Sequence, residues 1–152
     1  MQLTGYMNKA LQLARQAAAA GEVPVGALIV KDGEIIVCAY NLTEARQSSL
    51  AHAEMLVIES AQSILQSRFL TDCTLFVTME PCPMCAGAIV LARVGRVVYG
   101  CPDSRFGACG SAFNVPAYQN ALFKPEVIGG ICEAECAALL QEFFRMRRAE
   151  TL

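Results

Sequence analysis

Two short stretches constrain this chain more than any others. Glu80-Pro81-Cys82-Pro83-Met84-Cys85 sets two thiols at Cys-x-x-Cys spacing. Pro83 between them suits the first turn of a helix, where its missing N–H is no loss. About thirty residues earlier, Ala51-His52-Ala53-Glu54 holds the only histidine in the chain, with a carboxylate two positions on. One imidazole and two thiolates are the three protein ligands of a catalytic zinc, with the fourth position left open. A fold that uses all three must bring both stretches to one point. The carboxylate of Glu54, close to such an ion without binding it, has the chemistry of a proton carrier for a water in that position.

The spacing also raises a geometric problem. Residues two apart on a regular helix point roughly 200° from each other. His52 and Glu54 can converge only if they straddle a helix start.

The chain has 152 residues, 55% of them apolar and 17% charged. It is expected to form one domain over 1–152, with too little charge for disorder. The longest apolar runs are too short for a transmembrane helix. Met1-Gln2-Leu3-Thr4-Gly5 shows no basic region followed by an apolar core, so the expected compartment is cytoplasmic. In that setting eight cysteines imply metal binding or burial, not a disulfide framework. Cys38, Cys73, Cys101, Cys109, Cys132 and Cys136 lack a second Cys-x-x-Cys spacing and read as small buried or half-buried residues. The formal net charge of −2 does not supply the bulk attraction of a protein that grips nucleic acid through phosphates. Any RNA contact must come from local basic clusters.

Apolar periodicity predicts a first helix from a Thr4 cap to Gly21, with Met7, Ala10, Leu11, Ala14, Ala17 and Ala18 on one face. The small residues Ala17 to Ala20 allow it to lie close to a sheet. Strands at Val25–Val30 and Ile35–Tyr40 flank the tight-turn dipeptide Asp32-Gly33. Asn41 to Ser49 reads as a loop, and a helix begins at His52. A strand at 74–79, a helix from Pro83 to about Arg93 closed by Gly95, and a strand at 97–101 follow. Residues 103–120 read as loop, 127–128 as a short edge strand, and about 132–148 as a last helix that sets Ala137, Leu140, Phe143 and Phe144 inward or near a site. Strands alternating with helices predict a three-layer α/β/α fold, a mixed central sheet with helices on both faces. In such folds two helix starts beside one sheet edge form the usual ligand site.

The pattern His-x-Glu with Pro-Cys-x-x-Cys suits hydrolytic removal of an exocyclic amine from a nucleobase. The chain resembles the bacterial tRNA-specific adenosine deaminases of the cytidine-deaminase-like superfamily. The likeness is carried by Glu22-Val23-Pro24-Val25-Gly26-Ala27, Ala51-His52-Ala53-Glu54, Glu80 to Ala88, Gly107-Ala108-Cys109-Gly110-Ser111 and Phe143-Phe144-Arg145-Met146-Arg147-Arg148. It implies one Zn2+ per subunit on His52, Cys82 and Cys85, with Glu54 as the proton shuttle. It implies base contacts from Asn41 and the backbone of Ala53, and a base pocket lined by Val25 and Phe144. It further implies a homodimer that binds the tRNA anticodon stem-loop and converts the wobble adenosine, position 34, to inosine. Neither an organic cofactor nor a membrane partner is implied. Ser48-Ser49-Leu50 and Phe106 depart from the family pattern, in segments expected to border the substrate.

Three functions compete on the residues alone. Wobble-adenosine deamination predicts a groove with Arg105, Lys124, Arg145, Arg147 or Arg148 beside the site. Deamination of free guanine, cytosine or cytidine uses the same zinc motifs and predicts a closed pocket. A purely structural zinc predicts a fourth ligand, for example Cys101 or Cys109.

Overall fold

The apolar run near residue 28 is buried on both faces because it forms the middle of a sheet. In the computed structural model, which describes residues 2–151, strand β1 (Gly26–Lys31) lies between β2 (Glu34–Tyr40) and β3 (Cys73–Met79). Beyond β3 lie β4 (Arg96–Cys101) and β5 (Glu126–Ile128), giving the order β2-β1-β3-β4-β5. β1 is antiparallel to β2 and β3, whereas β3, β4 and β5 run parallel, so the sheet is mixed as expected. The two ends of the 1–152 span, Met1 and Leu152, lie outside the described residues.

Helix α1 (Leu3–Ala19) packs on β1 and β3 and touches α5 (Glu133–Glu150), which packs on β4. Helix α3 (Ala53–Leu65) packs on β1 and β2 and touches α4 (Pro83–Leu91). Helices thus cover the sheet on both sides, and Leu28, Ile29, Leu75, Phe76, Val77, Val97 and Val98 are fully or almost fully enclosed. The small residues of α1 let it approach closely: Ala10, Ala14 and Ala17 are completely buried. The contact is tightest at Gly26, where a methyl group would run into the backbone of α1 at Ala10 and Ala14. The β1–β2 turn takes the left-handed geometry its Asp-Gly dipeptide favours, with φ of 51° at Asp32 and 77° at Gly33.

Local details depart from expectation. Gln2, not Thr4, precedes the first turn of α1, and it makes no side-chain cap. Helix α4 ends through a left-handed Arg93 (φ 52°) instead of Gly95. Gly95 is needed for closeness, because a side chain there would strike the carbonyl of Thr71. The predicted loop after Asn41 contains a four-residue helical turn, α2 (Thr43–Arg46). Cys38 is exposed on the outer strand β2, whereas Cys73, Cys101, Cys109 and Cys136 are buried and Cys132 is half-buried.

Register places the site. Tyr40 at the end of β2 pairs with Gly26, and Val77 near the end of β3 pairs with Ala27. Both chain segments therefore leave the sheet at the same end, one toward α3 and the other toward α4. Gly26→Ala is expected to destabilise the protein by about 1–3 kcal/mol, the usual cost of overpacking a close contact; urea unfolding of the two proteins measures it.

Candidate metal centre

His52 and Cys82 solve the convergence problem by occupying equivalent positions. His52 is the N-cap of α3, with extended backbone (φ −74°, ψ 147°), so it lies outside the helical period and Glu54 falls in the first turn. Cys82 is the N-cap of α4 (φ −73°, ψ 173°), followed by Pro83 inside the helix, and Cys85 sits in its first turn. Neither N-cap side chain makes a capping hydrogen bond to its own helix. The imidazole and the thiol are turned to each other instead. His52 Nδ1 lies 3.6 Å from Cys82 Sγ and 3.5 Å from Cys85 Sγ. All three ligand atoms fall within 4.8 Å of one another.

These distances fit a tetrahedral zinc. Bonds of about 2.3 Å to sulfur and 2.05 Å to nitrogen, at the tetrahedral angle, set N and S roughly 3.5 Å apart. Among the described residues no fourth His, Cys, Asp or Glu atom joins the group. Cys101 Sγ donates to the carbonyl of Thr78, and Cys109 packs with Ala86 and Ala108 in a small separate cluster. The closed four-ligand site of a structural zinc is therefore absent.

The protonation pattern shows how strongly the groups interact. Hydrogen bonding from Cys85, more than the lowering by His52, brings Cys82 down to about 4, so it is a thiolate. The bond to that thiolate, followed by burial, drives Cys85 far up. His52 is raised, chiefly by its bond to Cys82. Glu54, 4% exposed, is pushed up to about 7 by burial, against the pull of a backbone hydrogen bond and of His52. The ligand groups compete for protons, so cation binding here is linked to proton release.

A hollow of about 220 Å³ opens beside these ligands, lined by His52, Glu54, Cys82, Val25, Asn41 and Phe106 among others. It is smaller than the roughly 300–1,000 Å³ of drug-sized ligand sites and suits a single flat ring system. The predicted base contacts divide. Val25 and Asn41 line the hollow. Asn41 Oδ1 accepts the N–H of Ala53 at 2.8 Å, so that backbone donor is engaged inside the protein. Phe144 lies apart, in a cleft of about 390 Å³ with Arg105, Leu140, Gln141 and Arg148. Of the other arginines considered, Arg145 pairs with Glu142 at 2.6 Å, and Arg147 donates to the carbonyl of Gly21 and lies over the Phe143 ring.

Two buried carboxylates that sequence reasoning gave no role fasten the rim of the hollow. Glu22 accepts the N–H groups of Glu44 (2.9 Å) and Ala45 (2.8 Å), and the hydroxyl of Thr43. It thereby caps α2, whose own N-cap position holds Leu42. Glu80 accepts the N–H groups of Asp103 (3.1 Å), Cys109 (3.0 Å) and Ser111 (3.1 Å), and the Ser111 hydroxyl. Their partners lie 21 to 31 positions away, at separations no short pattern encodes.

With this geometry in view, comparison with known proteins is decisive. Residues 1–101 match the family described as the cytidine and deoxycytidylate deaminase zinc-binding region. The chain belongs to this deaminase family. It is 48% identical to the tRNA-specific adenosine deaminase of Bacillus subtilis over 94% of its own length and 89% of that protein's. A structure from studies of A-to-I editing by tRNA:A34 deaminases superposes with a TM-score of 0.87 at 39% identity, covering 90% of this chain and 99% of that one. Guanine deaminase from Nitrosomonas europaea superposes at 0.81 with 26% identity, covering 93% and 84%. The deaminase fold and a zinc-dependent centre on the His/Cys/Cys group follow from these matches together with the site.

Zinc binding to this deaminase centre is expected to weaken as pH falls, by roughly tenfold per pH unit for each proton displaced. Competition with a chromophoric chelator at pH 8 and pH 6 measures the slope. Cys85→Ala is expected to lose both the metal and thermal stability, read by elemental analysis and calorimetry.

Proposed function

We propose that this deaminase converts the wobble adenosine of a tRNA anticodon loop to inosine, releasing ammonia. The supporting observation is the pairing of a base-sized hollow at a three-ligand zinc site with a cationic, aromatic cleft beside it. Arg105 and Arg148 line that cleft with Phe144, and among the described residues neither forms an ion pair. An acidic protein that binds an RNA loop needs such a local concentration of arginine. The likeness to tRNA-specific enzymes over nearly the whole chain supports the same substrate.

His52, Cys82 and Cys85 are the proposed ligands. Zinc, when bound, supplies Lewis acidity that makes a water nucleophilic near neutral pH. Glu54 receives a proton from the attacking water and passes it to a ring nitrogen, then takes the remaining proton from the added hydroxyl and delivers it to the departing amine as the carbonyl forms. Asn41 holds the base: with its Oδ1 occupied by Ala53, its Nδ2 group is left as the donor for a ligand. Val25 forms a wall of the hollow and excludes water from one side of the ring. Water and the aminopurine are consumed, and the oxo-purine and ammonia are formed. Phe144 serves the adjoining cleft, away from the reacting base.

The enzyme is proposed to act in the cytoplasm as a homodimer. No helix among the described residues is long and apolar enough to cross a membrane. Support for self-association comes from the α3–α4 side, where a groove of about 710 Å³ is lined by Met55, Ile58, Phe69, Val90, Leu91 and Leu122 among others. Leu91 is 74% exposed and Leu122 83%, large apolar side chains of the kind a second copy would cover.

The deciding experiment presents an adenosine-34 anticodon stem-loop, guanine, cytosine and cytidine in parallel, with ammonia and inosine quantified. Turnover of the stem-loop alone is expected; turnover restricted to a free base overturns the proposal. Glu54→Ala is expected to keep its zinc and lose at least about a hundredfold in rate, the scale of general acid–base catalysis. Leu91→Glu is expected to shift the protein from dimer toward monomer in sedimentation velocity.

A further inference from the structure

Phe106 and Phe113 are poorly placed for a core. Phe106 is 54% exposed and Phe113 49%, yet their rings meet edge to face with centroids 6.1 Å apart. Solvent-facing aromatic rings normally gain little from being held still. Here the backbone holds both. Phe106 donates its N–H to Asp103 Oδ1, and Phe113 donates its N–H to the carbonyl of Gly107. Gly107 is pressed against the Glu80 carboxyl so closely that no side chain fits. Glu80 in turn holds Asp103, Cys109 and Ser111, so the segment that carries both rings is tied to the buried side of the metal centre.

The position of the pair gives it meaning. Phe106 belongs to the same hollow as His52, Glu54 and Cys82, at its outer edge. Its chain neighbour Arg105 lines the cleft that also holds Arg148. A fixed aromatic face between a single-base hollow and a pair of arginines has the make-up of a single-stranded nucleic acid site: cations for the backbone and a ring for a base. A ring on a fastened backbone and resting against a second ring loses less entropy when a base stacks on it than one on a free loop.

We propose that Phe106, braced by Phe113, is a stacking platform for one of the two nucleotides that flank the target base in the RNA loop. This rests on the wobble-adenosine reading. The platform adds affinity and sequence tolerance, since every base has a face to stack, and it holds the target nucleotide at the mouth of the hollow.

The test uses the full-length zinc enzyme and adenosine-34 stem-loops that are intact or abasic at position 33 or at position 35. Phe106→Ala is expected to lower kcat/KM on the intact loop by roughly 5- to 150-fold, the range of base–aromatic stacking. Phe106→Trp is expected to restore it. One of the two abasic loops is expected to penalise the wild type by a similar factor while costing Phe106→Ala little. A kcat/KM for Phe106→Ala within about twofold of wild type overturns the proposal, as does an abasic penalty equal in both proteins. A Phe106→Ala protein that sediments as monomer where the wild type is dimeric also overturns it, because the ring is then a protein–protein contact. An inactive wild type on every stem-loop sinks the underlying substrate reading, whereas an active wild type beside an unaffected Phe106→Ala sinks the platform alone.

Discussion

Everything in this molecule depends on two helix starts aimed at one point. The N-termini of α3 and α4 leave the same end of the sheet and meet at His52, Cys82 and Cys85. A helix start usually spends its first side chain on capping, and doing without costs about 1 kcal/mol. Here α3 takes its cap from Asn41, whose Oδ1 accepts the N–H of Ala53, and the side chains of His52 and Cys82 turn toward each other. The positive end of α4 favours the thiolates of Cys82 and Cys85, and a zinc ion held by the three ligands would tie the two helix starts together. Metal binding and the relative placement of α3 and α4 are therefore one problem with one solution.

Much of this is legible in the sequence because the decisive signals are local. Pro83 marks the start of α4, Asp32-Gly33 marks the β1–β2 turn, and the apolar run that fills β1 up to Val30 marks a buried strand. The three-ligand group can be read from spacing because chemistry restricts which residue types serve together. What is not legible depends on separation. The residues bound by Glu22 lie 21 to 23 positions away and those bound by Glu80 23 to 31 positions away. Neither pairing follows a period. Thr4 and Gly95 fit helix-end preferences, but Gln2 and Arg93 take those places, because a preference of about 1 kcal/mol is small enough for the rest of the fold to override. Phe144 shows a different limit. Its place on the last helix is clear from periodicity, while the side of the centre it faces is set by how α5 lies on β4.

The charge distribution suits an acidic chain to the proposed RNA substrate. Arg145 and Arg147 look basic in the sequence but are committed within the fold, one to Glu142 and the other to Gly21 and Phe143. Arg105 and Arg148, far apart in sequence, share a cleft. Attraction then acts at one place without a general field that would collect unrelated nucleic acid.

Fastening the rim by buried carboxylates to main-chain N–H groups has a consequence for how this enzyme can change. Glu22 and Glu80 grip amide groups, which every non-proline residue carries, so the side chains of the gripped segments are free to vary. Ser48-Ser49-Leu50 and Phe106 stand in or next to such segments. A lineage can exchange the residues that greet the substrate while the chemistry beneath is untouched, which makes the mouth of this enzyme the natural place for new preferences to arise.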